Sequence, residues 1–347
     1  MHVLLTGYMG YIGPVFLRLV QGSGFRITGM DTGFFRECLP AGQSLPPMDR
    51  TIQRDIRHVE LEDLAGVDAV VHMAGLSNDP LGHLNPTLTQ DINYNANVRL
   101  ANLAKQAGVS RFVFMSSCSI YGAAGDNTIP LDETAPINPV SEYAVSKVRT
   151  EEYLSTLADD HFSPVYMRNA TAFGVSPLIR FDLVLNNLMA WAMTTGRIKV
   201  LSDGTPWRPL AHIEDISLAV LCALKAPKQA IHNQAFNIVS RNANYQVREI
   251  AEAVQRHVAG SALDITGENG NDPRSYRVDS SKALNGLPGF EPKWDLETGC
   301  QELVEWFKSH PLESNSQAFD NRYFVRLKQV RHLLEQKMVD DQLYWVR

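Results

Sequence analysis

Short apolar and β-branched runs recur along the chain, separated by longer stretches in which apolar residues return every three or four positions. Runs of the first kind suit strands buried on both faces, and stretches of the second kind suit helices laid over them. The alternation predicts an α/β fold, a doubly wound parallel sheet with helices on both faces. Seven strands are expected, at residues 2–6, 26–30, 51–54, 68–73, 111–116, 164–168 and 235–239. Leu88, Ile92, Ala96, Leu100, Leu103, Ala104 and Ala107 fall on one helical face, so 86–107 is predicted as a long helix with Pro86 in its first turn.

Beyond residue 170 the alternation weakens, and Pro, Gly, Asn and Trp gather in segments such as Ser202-Asp203-Gly204-Thr205-Pro206-Trp207. A smaller lobe is placed there. Because 211–224 and 235–239 read as another helix and strand of the first unit, the two units are expected to interleave. The division is 1–169 for the sheet domain, 170–207 for the first part of the lobe and 208–240 for the return. Residues 241–310 form the second part of the lobe, and 311–347 a helical tail. In that tail, Leu327, Val330, Leu333 and Leu334 share one face of a helix predicted over 321–339, which suits packing or dimerisation.

A glycine-rich stretch, Thr6-Gly7-Tyr8-Met9-Gly10-Tyr11-Ile12-Gly13, follows the first strand directly and precedes residues of helical spacing. Glycines at that place let the backbone turn sharply and approach a pyrophosphate, which then lies against a helix N-terminus. Asp31 closes the second strand, 18 residues after Gly13, where a carboxylate suits the ribose hydroxyl of NAD and repels the 2′-phosphate of NADP. Asp55-Ile56 at the end of the third strand suits an adenine ring. These signs make the sheet a Rossmann-type dinucleotide-binding unit.

Composition narrows the chemistry. At 347 residues the chain has room for about two structural units and a cleft between them. Its 38 acidic residues outnumber 32 basic ones, which argues against a nucleic-acid groove, so any phosphate site must be built from a few local cations. The four cysteines, Cys38, Cys118, Cys222 and Cys300, lie at least 78 residues apart, so no redox pair or metal cluster is proposed and none of the site residues is a metal ligand. No stretch has the length of a membrane span, and a cytoplasmic setting is expected.

Tyr143 and Lys147 stand four residues apart in a segment of helical character, 141–157, and so share a face. An ammonium beside a phenol favours phenolate, which makes Tyr143 a candidate general base. Ser117, after the strand 111–116, can orient a substrate hydroxyl.

With these residues in hand, the chain resembles the extended short-chain dehydrogenase/reductases, in particular the NAD-dependent epimerase/dehydratase family that modifies nucleotide sugars. The resemblance runs from residue 2 to 308. It rests on Thr6 to Gly13, Asp31, Asp55-Ile56, His72-Met73-Ala74-Gly75, Ser116-Ser117-Cys118-Ser119-Ile120-Tyr121-Gly122, and Tyr143 with Lys147. It implies a catalytic set of Ser117, Tyr143 and Lys147. It also implies NAD held by Gly7, Tyr8, Met9, Gly10, Tyr11, Ile12, Gly13, Asp31, Asp55, Ile56, Met73, Ala74, Gly75, Asn93, Ser116, Tyr143 and Lys147. Asn93 matches a position that supports the lysine through water.

For the substrate, a nucleoside-diphosphate sugar, the resemblance points to Ser117, Thr171, Asn187, Arg208, Arg274 and Tyr276. Arg208 heads an Arg-led motif that runs to Asp215, and Asp272-Pro273-Arg274-Ser275-Tyr276 resembles a segment closing over the nucleotide. Three positions depart from the family. Cys118 and Ser119 stand where 4,6-dehydratases carry an Asp-Glu pair, and Thr171 replaces the Asn usual in 4-epimerases. The reading is an NAD-dependent epimerase acting at a sugar hydroxyl, C4 first, and a homodimer. The alternatives are a 4-dehydrogenase or ketoreductase, a dehydratase using Cys118 as acid, and a catalytically idle NAD-binding regulator.

Overall fold

A computed structural model describes residues 1–77, 85–123, 129–268 and 274–346. Strands with apolar side chains on both faces need a layer on each side, and Val3, Leu4, Leu5, Val70, Val71, Phe112, Val113 and Phe114 are all fully buried. In chain order the strands are β1 His2–Thr6, β2 Arg26–Asp31, β3 Arg50–Gln53, β4 Ala69–His72, β5 Arg111–Ser117 and β6 Ser163–Asn169. There follow β7 Thr171–Phe173, β8 Arg197–Val200, β9 Trp207–His212, β10 Gln234–Ile238, β11 Asn244–Gln246 and β12 Ala262–Ile265. Each of the seven predicted strands forms, and together they make one sheet of order β10-β6-β5-β4-β1-β2-β3 with every pair parallel. The order reverses between β1 and β4, and beyond the carboxyl ends of those strands a crevice must open.

The smaller elements pair separately, β11-β9-β7 in one sheet and β12 with β8 in another. The ladder of β9 with β7 claims Ala211 and His212, so the helix predicted from 211 begins two residues later, at Ile213–Lys225. Its N-cap is the His212 imidazole, which accepts the Glu214 N–H at 3.1 Å.

The long predicted helix is interrupted. Pro86–Gln90 and Ala96–Gln106 are α-helical, and Asp91–Asn95 between them is a π turn. The widened turn carries Asn93 inward, where its Oδ1 accepts the Leu76 N–H at 2.8 Å and its Nδ2 donates to the Leu76 carbonyl at 3.0 Å.

One buried polar chain ties β1, β4 and this helix together. The His72 ring meets the Thr6 hydroxyl through Nδ1 at 2.7 Å and Asn97 Oδ1 through Nε2 at 2.6 Å. Since Asn97 Oδ1 can only accept, Nε2 carries the proton and Nδ1 accepts from Thr6. Burial lowers the His72 pKa to about 4. The unfolded chain takes up a proton near pH 6.5 that the folded chain refuses until about pH 4, so stability supplied by His72 is complete above 6.5 and lost as pH falls through that window. Urea unfolding is expected to show a loss of about 2 kcal/mol between pH 7 and 5 that a His72→Gln variant lacks; parallel pH curves would refute this.

The tail helix runs only over Arg326–Glu335, and Lys337, at φ +52, breaks it while the Met338 N–H returns to the Leu333 carbonyl at 2.9 Å. Val330 and Leu333 are buried against this chain's own sheet side, so the predicted apolar face is a packing face. The last residues then fold over the β2 and β3 end. Arg57 donates to the Gln342 carbonyl at 2.7 Å and lies 3.7 Å from the centre of the Tyr344 ring, and the Trp345 indole donates to the Thr32 carbonyl at 2.8 Å. Among the described residues no helix is long and apolar enough to cross a membrane.

Candidate active site

A cleft of about 940 Å³ lies at the carboxyl ends of the parallel strands. At its floor the chain turns from β1 into the helix Gly13–Val20. Gly7 sits at φ +76, and a Cβ there would stand 2.6 Å from the Ala74 nitrogen; one on Gly13 would stand 2.5 Å from the Tyr8 carbonyl oxygen. Only glycine permits both approaches. The helix starts without a side-chain cap and without an acidic residue in its first turn, so its positive end is available to an anion in the cleft. Asp31 stands beside this turn and accepts N–H groups of Met9 at 3.0 Å and Gly33 at 2.8 Å. Burial raises its carboxyl above the ordinary value, and those two donors oppose the shift. Asp55 and Ile56 line the same end, with Asp55 capping a short turn through the Arg57 N–H and pairing with the Arg57 guanidinium at 2.7 Å. A glycine cradle, a helix end and a carboxylate at the strand tip fit a dinucleotide.

Toward the middle of the cleft stand Ser116, Ser117, Tyr143 and Lys147. The helix Glu142–Leu157 begins at Ser141, whose hydroxyl accepts the Ala144 N–H, and this start sets Tyr143 and Lys147 one turn apart facing β5. Lys147 donates to the Met115 carbonyl at 2.8 Å, and its Nζ lies 5.5 Å from the centre of the Tyr143 ring. Burial lowers the ammonium pKa to about 8 while Glu151 opposes, so it remains mostly cationic at pH 7. Ser117 caps the turn after β5 by accepting the Ser119 N–H at 3.1 Å. Ser116 donates to Glu151, which is clamped by Arg168 at 2.7 Å.

Thr171, Asn187, Arg208, Arg274 and Tyr276 line the far part of the cleft. Arg208 bonds the carbonyls of Trp207, at 2.8 Å, and Arg274, which ties β9 to the late segment. Asn187 donates to the Phe181 carbonyl at 2.7 Å.

Several expected residues lie elsewhere. Cys118 is fully buried in the core, its thiol directed at the Arg168 carbonyl at 3.0 Å, and burial pushes its pKa far up, so it is no acid for the cleft. Tyr8 is buried with its ring against Gly29, and Met9 contributes its backbone N–H to Asp31. The Asn93 side chain is spent on Leu76, and the backbone it braces is that of the 75–76 turn. Asp272 and Pro273 lie outside the described residues.

The cleft also recruits residues to which no role was given above. Asn169 Oδ1 and Ser119 Oγ are buried on its wall without hydrogen-bond partners. Arg180 and Asp182 form a paired wall at 2.8 Å, and Arg326 comes from the tail. Asn169 stands two residues before Thr171, so its place was open to reading; Arg180 carried no pattern that set it apart.

Residues 3–239 match the NAD dependent epimerase/dehydratase family. The UDP-glucose 4-epimerase of Bos taurus is 27% identical over 352 residues, covering 91% of this chain and 99% of that protein. The corresponding enzyme of Bacillus subtilis (strain 168) is 26% identical, covering 89% and 98%. Among solved structures, the NAD dependent NDP-hexosamine 5,6-dehydratase TunA superposes with a TM-score of 0.76 at 23% identity, covering 89% of this chain and 98% of that one. UDP-glucuronic acid 4-epimerase from Bacillus cereus, solved with UDP-glucuronic acid and NAD, gives 0.75 at 21% identity, covering 89% and 100%. These structural likenesses speak for the fold.

Proposed function

The chain belongs to the NAD dependent epimerase/dehydratase family, and from that premise we propose that this NAD-dependent enzyme inverts a hydroxyl-bearing carbon, C4 first, of a nucleoside-diphosphate sugar. The observation that carries the reading is the meeting of Ser117, Tyr143 and Lys147 in one cleft with the glycine cradle. Gly7, Gly10, Gly13, Asp31 and Asp55 would hold NAD, which when bound supplies a reversible two-electron acceptor.

The chain's own residues handle the proton. Ser117 orients the sugar hydroxyl, and the Tyr143 oxygen takes its proton and later returns it. Lys147, cationic at neutral pH, favours the phenolate form of Tyr143. Arg208, with Asn187 and Arg274 nearby, suits the sugar nucleotide's diphosphate. Loss of water would require an acid beside the reacting carbon, and Cys118 is turned into the core with a raised pKa. This supports turnover without dehydration.

The test is to incubate the enzyme with UDP-, dTDP-, GDP- and CDP-hexoses, UDP-glucose and UDP-glucuronic acid among them, and weigh the products. A chromatographic isomer of unchanged mass is expected. Loss of two hydrogens would make it a dehydrogenase and loss of water a dehydratase; either overturns the proposal.

A further inference from the structure

We propose that Arg326, delivered by the C-terminal tail, is a cofactor-binding residue that holds a phosphate of the dinucleotide. The proposal depends on the family's cofactor and not on which sugar is turned over, so it stands or falls separately from the reaction assigned above.

Arg326 is the first residue of the tail helix, about 300 positions from the glycine turn, yet its side chain forms part of the cleft wall. It is 1% exposed. One guanidinium nitrogen, Nη2, donates to the Leu178 carbonyl at 2.7 Å, and the group stands 4.6 Å from the centre of the Phe35 ring. The other, Nη1, is buried with no hydrogen-bond partner.

A lone buried guanidinium is costly unless something negative meets it. The carboxylate that acts on it, Asp182, is shared. Asp182 is engaged in a two-point pair with Arg180, Nε to Oδ1 at 2.8 Å and Nη2 to Oδ2 at 2.9 Å, while Arg180 Nη1 reaches Ser77 at 3.0 Å. Two guanidiniums share this wall with one carboxylate, which leaves one positive charge uncompensated. Burial accordingly lowers the Arg326 pKa to about 10, with Arg180 adding to the shift. The missing partner is therefore an anion that enters the cleft.

Two diphosphates could enter, that of the dinucleotide and that of the sugar nucleotide. Position decides between them. Arg326 lies over Phe35 of the turn after β2, beside Cys38 and Tyr11 at the dinucleotide end, while Leu178, Arg180 and Asp182 flank it from the segment after β7. Arg208 and Arg274 are already joined on the wall contributed by the smaller sheets. The turn after β2 presents Phe34 and Phe35 to the cleft, two rings that cannot donate to a phosphate, and the tail places a cation over one of them. Arg offers two forked donors to a phosphate and is never deprotonated at working pH, which suits it to this task.

The test uses the full chain with Arg326→Met, which keeps the length of the stem, and Arg326→Lys, which keeps the charge. Each is titrated calorimetrically with NAD, ADP-ribose, adenosine and UDP, and thermal unfolding without ligand checks folding. In Arg326→Met, NAD and ADP-ribose are expected to bind about ten- to a hundredfold more weakly. Adenosine and UDP should change less than twofold, and Arg326→Lys should recover part of the loss. NAD affinity within twofold of the parent, an equal loss for adenosine, or a loss confined to UDP each overturns the assignment. Should neither variant fold, a crystal structure of the parent protein with ADP-ribose decides. Nη1 within about 3.2 Å of a phosphate oxygen is expected, and a phosphate outside hydrogen-bonding reach overturns it.

Discussion

Tyr143→Phe is expected to lower kcat by a factor of about a hundred to ten thousand, the span that one positioned acid–base group provides. The substitution removes a single oxygen and keeps the ring beside which Lys147 lies, at 5.5 Å from ring centre to Nζ. Lys147 keeps its bond to the Met115 carbonyl, and the glycine turn is untouched. NAD affinity should therefore stay where it is. Steady-state kinetics with the sugar nucleotide identified by product analysis, together with an NAD titration, checks the split. A kcat within tenfold of the parent would remove Tyr143 from the role of base.

Glu151→Ala should destabilise the fold by about 3 to 5 kcal/mol, because it strands a buried charge. Both side chains of the pair are less than a tenth exposed. Glu151 receives Arg168 through Nε and Nη2, and the Ser116 hydroxyl as well. With the carboxylate gone, Arg168 keeps hydrogen bonds only to the Tyr121 hydroxyl at 3.2 Å and the Glu133 carbonyl at 3.1 Å, and the Glu133 carboxylate acts on it at longer range. The double variant Glu151→Leu with Arg168→Met removes both charges and should lose less than the single one. Urea unfolding of the three proteins checks this. A single-variant cost below about 1 kcal/mol would show that the pair does not brace the end of β5.

What could be read from the chain alone follows from what each element needs. The seven sheet strands announced themselves because strands buried on both faces must be apolar throughout, as Val3-Leu4-Leu5 and Phe112-Val113-Phe114 are. Tyr143 and Lys147 were legible because a helix with Ser141 as its cap fixes their relative angle. Helix ends were less so. Ala211 and His212 have apolar and helical credentials, but pairing across the small sheet overrides them, and the π turn at Asp91–Asn95 follows from a side chain bonding a loop distant in sequence.

The direction in which Cys118 points was beyond reach. It sits between two cleft-lining serines on a tight turn, and only the turn decides that its thiol faces inward. Arg326, by contrast, left a trace. It stands four and seven residues before Val330 and Leu333, on the apolar stripe of the tail helix, and a charge on a buried stripe calls for a partner.

The way the tail closes on the first loops has a consequence for how the protein is made. Domains emerge from the ribosome amino-terminal end first, and the strands β1 to β6 can pair long before synthesis ends. The pocket at the β2 and β3 end cannot be finished then, because its outer wall is fastened by Arg57 to Gln342 and by Trp345 to Thr32. A chain cut by a protease before Gln342 would lose both fastenings and uncover the core face on which Leu343 packs.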